Sequence, residues 1–221
     1  MDGALALLAQ SGPFLAKGLA YTLALALFGM GAGLVLGFGP GPDAAVGEPG
    51  PAPCPPRPMS RRCVARPLLV QLFLIYYGLP QLGLELSPLV AAGIGFSLNM
   101  AAYAAEILRS SIAAIDRGQW EAAEVLGLSR RRTLRLVILP QAARTAVAPL
   151  SNSFISMIKD TSLAATIQVP ELFRQAQLIT ARTFQIFTMY LAVAAIYWVA
   201  CAVLAQVQHR LERRAAWGRT Q

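Results

Sequence analysis

The apolar residues of this chain come in long uncharged runs separated by polar, mostly basic stretches. A membrane-crossing helix needs about 20 consecutive apolar residues, and five runs approach that length. The first covers about Leu19–Phe38 and is rich in Gly, Ala and Leu. The second, Pro67–Leu84, and the third, Leu86–Ala105, are parted by the single Glu85. Gly78, Pro80 and Gly83 interrupt the join, which predicts a short hairpin rather than one very long helix. The fourth, Ala146–Thr166, carries Lys159 and Asp160. The fifth, Phe184–Val207, is uncharged, with Tyr190, Tyr197 and Trp198 as interface anchors. The pattern predicts an all-α membrane protein of about five transmembrane helices, a single domain over residues 1–221.

The basic residues give this arrangement a direction. Fifteen of the 19 lie in the alternate segments 38–66, 109–144 and the tail from 208. Only Lys17, Lys159, Arg174 and Arg182 lie elsewhere. Basic excess marks the cytoplasmic side, so the N-terminus is expected outside and the C-terminus in the cytoplasm. Composition agrees: 56% of residues are hydrophobic and 14% charged, with a mean hydropathy of +0.52. Soluble domains carry about 25% charged residues. The net charge of +8 is therefore read as loops facing anionic lipid, with no nucleic-acid partner. Cys54, Cys63 and Cys201 form no metal-like cluster and are read as free thiols.

The middle basic segment, 109–144, is too structured for a simple connector. Glu121 to Leu126 has helix-forming composition, and Gly127 is a natural helix stop. Ser129 can cap a second helix that starts with Arg130, Arg131 and Arg132, and Pro140 either stops the pattern or opens the next span. A short helix–turn–helix at the membrane surface is expected. Gly118 is expected to interrupt it.

Glu121-Ala122-Ala123, then Gly127, then Val137-Ile138-Leu139-Pro140 resembles the EAA loop of ABC-importer permeases. That pattern commonly has Ile where this chain has Val137. Further stretches resemble the polar amino acid branch of those permeases: Pro67–Gln71, Tyr76–Pro80, Ala102–Arg109 and Met157–Leu163. The similarity covers about residues 12–38 and 67–212. It implies the type I ABC-importer permease fold in a bacterial cytoplasmic (inner) membrane, as a multi-pass protein. It also implies partners: two ABC ATPase subunits, an extracytoplasmic amino-acid-binding protein, and a second permease copy or a homologous permease. Glu121, Ala122, Ala123, Gly127, Leu139 and Pro140 would couple the chain to the ATPase. The branch handles glutamine, glutamate, arginine, histidine and cystine. No Walker-type phosphate loop is present. The chain is thus expected to be a transport subunit rather than an enzyme, with no cofactor of its own, ATP and Mg being bound by the partner ATPase.

Polar residues at membrane depth are expensive and face a partner or a cavity. Asn99 and Tyr103, four apart, are placed to touch solute, and Asn152 and Ser156 share a helix face in the same way. A polar path for a zwitterionic or cationic amino acid is one reading; hydrogen bonding between packed helices is the other. Lys159 and Asp160 belong to this set, but adjacent residues on a helix diverge by about 100° and need not pair. Glu106 and Arg109, three apart, are read as a surface ion pair. The small-residue faces of the first and last spans are read as close-packing surfaces.

Residues 39–66 depart from their surroundings: dense proline there forbids a helix. Members of the resembling family carry a basic connector and a short helix before Pro67. Met59–Pro67 can be encoded so that a two-base shift reads Val-Glu-Ala-Leu-Arg-Gly-Thr-Pro, the motif expected there. The segment is thus either a stretch placed out of frame or a divergent flexible loop, a choice that sequencing the gene decides. The alternative function is a self-sufficient secondary transporter or channel for small polar solutes. It would call for internal inverted repeats, which the sequence does not display.

Overall fold

The computed structural model describes residues 2–38 and 67–216, so the connector 39–66 and the end of the basic tail lie outside the described residues. Among the described residues every regular element is helical: α1 (Asp2–Phe38), α2 (Leu68–Phe73), α3 (Pro88–Ala113), α4 (Arg117–Val125), α5 (Arg130–Thr133), α6 (Leu139–Asp160), α7 (Leu172–Thr183) and α8 (Ile186–Ala216). A π turn at Leu74–Gly78 and a 3-10 turn at Leu79–Leu82 extend α2. A second π turn, Leu134–Ile138, joins α5 to α6, and a 3-10 turn, Thr161–Ile167, follows α6.

Among the described residues three helices are long and apolar enough to cross a membrane: Ala6–Phe38, Pro88–Ala113 and Ile186–Arg210. The two other expected spans take different forms. The run from Pro67 is a short, broken helix that ends where Gly83 adopts φ 82°. The expected hairpin before α3 is present. The fourth run starts earlier than expected, at Leu139, because Pro140 fits the first helical turn, where its missing N–H costs nothing. It stops being α-helical at Asp160. There Thr161, Ser162 and Thr166 turn their hydroxyls back onto the carbonyls of Ile158, Lys159 and Leu163 at 2.6 to 2.7 Å, which suits a tightened turn. α1 begins well before Leu19, since the preceding residues are also helix-forming and Pro13 is accommodated within the helix.

The α1–α3 packing rests on glycine. Gly29, Gly33 and Gly37 recur every four residues and share one face. A Cβ at Gly29 would lie 2.9 Å from Phe96 Cβ, at Gly33 2.5 Å from Met100 Cβ, and at Gly37 2.8 Å from the Ala101 carbonyl oxygen. Such spacing lets backbones approach closely, as helix association in lipid requires. The first span therefore has the close-packing face expected of it. The last does not: α8 faces outward over most of its surface.

A buried carboxylate gathers α1, α7 and α8. Glu171 caps α7 by accepting from the amides of Phe173 at 2.8 Å and Arg174 at 2.6 Å. The Tyr197 hydroxyl of α8 donates to it at 2.9 Å, and the next amide, Leu172, donates to Thr22 of α1 at 3.2 Å. One side chain and its neighbour thus tie three helices together.

Candidate functional site

A cavity of about 480 Å³ opens between α2, α3 and α6. Asn99 and Tyr103 reach it from α3; Asn152, Ser156 and Asp160 reach it from α6. These are five of the six residues singled out at membrane depth, brought together because i, i+4 pairs on two facing helices present one stripe each. Lys159 is not among the lining residues. The rest of the wall comprises Pro67, Leu68, Phe96, Met100, Ser153 and Met157. Phe96 and Met100 are the side chains seated on Gly29 and Gly33, so the glycine stripe of α1 sets the back wall. The volume suits one small molecule. The lining offers one carboxylate, two amides and three hydroxyls, and no basic side chain. It can accept hydrogen bonds from an ammonium group and exchange them with a polar side chain.

Two hydrogen bonds shape this wall. Ser153 Oγ donates back to the Pro149 carbonyl one turn earlier at 2.9 Å, which turns this hydroxyl onto its own helix. Asn152 Oδ1 accepts from Gln208 Nε2 of α8 at 2.9 Å, which joins the pocket wall to the C-terminal part of the last helix.

The loop between α3 and α6 is a helix–turn–helix. Asp116 caps α4 through Oδ1, which accepts from the Gly118 amide at 2.6 Å. Gly118 therefore sits in the first turn of α4 instead of interrupting it. The helix ends in a Schellman turn: Leu128 N donates to the Ala123 carbonyl at 3.1 Å and Gly127 N to that of Glu124 at 2.9 Å. Gly127 supplies the φ of 72° that this turn demands. Ser129 stands at the cap position of α5, but its side chain makes no capping bond; its carbonyl accepts from Thr133 instead. Ala123 is buried, whereas Glu121, Ala122 and Gly127 are exposed. Val125 and Leu126 are 87% and 78% exposed, an apolar edge unusual for a loop that faces water. Leu139 packs partly against the loop's small core of Ile112, Leu134, Ile138 and Ala142, and Pro140 is exposed. Glu106 and Arg109 form the expected ion pair, with Arg109 Nε donating to Glu106 Oε2 at 3.1 Å.

Sequence reasoning missed Gln208, Glu171, Phe96 and Met100. A lone glutamine at the end of an apolar run gives no signal of its partner, and Phe96 and Met100 look like any other core residues. Glu171 carried a readable hint: an acid directly before a helical run is a cap candidate.

Three helices apolar and long enough to span, a polar cavity beside one of them and a basic helix–turn–helix loop define the class: a membrane transport component. Residues 57–217 match the family described as "Binding-protein-dependent transport system inner membrane component". The chain belongs to that family. It is 54% identical over 149 residues to the L-cystine transport system permease protein TcyB of Bacillus subtilis (strain 168), a stretch that is 67% of this chain and 64% of the relative. The chain thus spans just under two thirds of that relative's length. It is 44% identical over 150 residues to the glutamine transport system permease protein GlnP of Escherichia coli (strain K12), covering 67% of this chain and 68% of the relative. Its fold is similar to that in a crystal structure of an amino acid ABC transporter with histidines, with a TM-score of 0.84, 33% identity and coverage of 94% of this chain and 96% of that one. The MetNI methionine ABC transporter in an inward-facing conformation shares the fold, with a TM-score of 0.77 at 18% identity over 91% of this chain and 96% of that one.

Proposed function

We propose that this chain is a pore-forming subunit of an ATP-driven importer for polar or charged amino acids. The single observation that carries the reading is continuity. The helix that lines the polar cavity with Asn152, Ser156 and Asp160 runs back through one π turn into the loop bearing Glu121, Ala122, Ala123 and Gly127. A cytoplasmic ATPase that grips the loop can thereby act on the cavity, converting its closure into rocking of the spans. The apolar edge of Val125 and Leu126 is the surface such an ATPase would cover.

In this reading the chain crosses a bacterial inner membrane five times, N-terminus outside. The broken helix from Pro67 and the amphipathic α6 serve as the two spans that neither length nor apolarity would pick out. Two permease copies, or this chain and a homologue, enclose the path, and an extracytoplasmic binding protein delivers the ligand. Asp160 receives the amino group, while Asn99, Tyr103, Asn152 and Ser156 take up the remaining polar atoms. Names of similar permeases support an amino acid: L-cystine for one and glutamine for another.

The test is reconstitution into liposomes with the candidate ATPase and binding protein, ATP enclosed on the cytoplasmic face, and labelled glutamine, cystine, arginine and histidine offered outside. Uptake of at least one that needs both ATP and the ATPase is expected. Uptake that persists without the ATPase would support the self-sufficient transporter instead. Asp160→Asn is expected to lower uptake about tenfold, the worth of one charge-assisted contact, with the assembled complex recovered in full. Loss of the complex itself would make Asp160 a packing residue.

A further inference from the structure

Two different contacts hold the loop helix α4 to the base of α6. The first is apolar. Trp120 packs against the buried cluster of Ile112, Leu134, Ile138 and Ala142. Such a contact resists separation but has no preferred direction, so it tolerates sliding and rotation. The second comes from the neighbouring residue. Gln141 Nε2 donates to Gln119 Oε1 at 3.0 Å, and the same nitrogen donates to the Val137 carbonyl at 3.0 Å. Gln119 belongs to α4, Val137 to the π turn and Gln141 to the first turn of α6. One amide thus joins α4, the π turn and the base of α6. From Gln141 to Asn152 is about three turns of one continuous helix, with Pro149 inside it.

We propose that Gln141 is a positioning residue for transport, fixing the angle at which a displacement of α4 turns α6. This rests on the importer reading above. The π turn Leu134–Ile138 widens the helix at the one place where α5 meets α6, which is where the segment bends most readily. Without a directional tie across it, movement of α4 is spent sliding Trp120 over its apolar seat. With the tie, the same movement reaches Asn152, Ser156 and Asp160 as rotation of their helix. A side-chain hydrogen bond at the edge of the loop contributes little to folding, so its loss leaves the fold and the ATPase contact in place.

The experiment uses the whole transporter, this chain with its ATPase and binding protein in liposomes, and compares wild type, Gln119→Leu, Gln141→Leu and the double variant. Two quantities are read: the ATPase retained on purification, and the amino acid imported per ATP hydrolysed. Each single variant is expected to keep the ATPase at the wild-type level while import per ATP falls roughly fivefold. The double variant is expected to fall no further, because both changes break the same bond. An unchanged ratio in either single variant, or losses that add in the double, would overturn the proposal. A ratio that falls only in step with lost ATPase would assign the bond to folding of the loop instead. If the wild type itself neither retains an ATPase nor imports with ATP, the importer reading fails, and the role given to Gln141 fails with it.

Discussion

α3 and α8 are both long enough to cross a membrane, yet the less hydrophobic of the two is the more deeply buried. The apolar stretch of α3 has a mean hydropathy of 1.3 and is 50% buried; that of α8 has 2.1 and is 11% buried. In a soluble protein the order would be reversed. In lipid no hydrophobic force drives one apolar helix against another, so close packing and polar contacts decide which helix is enclosed. α3 is enclosed because Gly93, Gly95, Ser97, Ala91, Ala92, Ala102 and Ala104 let neighbours approach, and because α1 offers it a glycine stripe. α8 turns Phe187, Leu191, Trp198, Val199 and Val203 outward, where acyl chains meet them as well as protein would. The polar residues needed for transport sit on the enclosed helix and on its neighbour α6.

Four substitutions break or sharpen this contrast, each read as a shift in thermal unfolding of the purified chain in detergent. Gly33→Leu carries the largest effect. Its Cβ alone would stand 2.5 Å from Met100 Cβ, and a full side chain forces α1 off α3, costing about 3 kcal/mol or more. Gly95→Ala follows at about 1 kcal/mol, since its Cβ meets only the Cδ2 tip of Leu72, at 2.6 Å, which can move aside. Gly31→Ala is expected to stabilise by about 0.5 kcal/mol. Nothing lies within 4 Å of its Cβ, and alanine is the better helix former. Trp198→Leu, at a site 73% exposed, should fall within about 0.5 kcal/mol of zero. Equal losses for Gly31 and Gly33 would remove the packing argument, and a large loss for Trp198 would place a protein partner on α8.

The loop was legible in outline, although Gly118 lies within the first turn of α4 and the Ser129 side chain makes no cap. Its glycine stop, its small residues beside Glu121 and its proline restart are local signals, and local hydrogen bonds answer them. The cavity was legible as two i, i+4 pairs, because helix periodicity is local too. Which of Lys159 and Asp160 faces the cavity was not legible. That depends on the rotation of α6 about its axis, set by contacts with α3 and α8 far away in the chain. The same reason hid the Gln208–Asn152 bond, which spans 56 residues, and the seating of Phe96 and Met100 on α1. The broken helix after Pro67 was read as a longer span because hydropathy counts apolar residues and does not register the π turn that bends them.

Co-purification tests the central claim most directly. The chain is tagged, expressed with its candidate ATPase and drawn from membranes, wild type beside Gly127→Val. A β-branched residue at φ 72° undoes the turn that ends α4 without touching the spans. The account predicts that the wild type brings the ATPase with it and that the variant, equally inserted and equally abundant, does not. A wild type that inserts and folds but retains no ATPase, or a variant that retains it fully, would contradict the account.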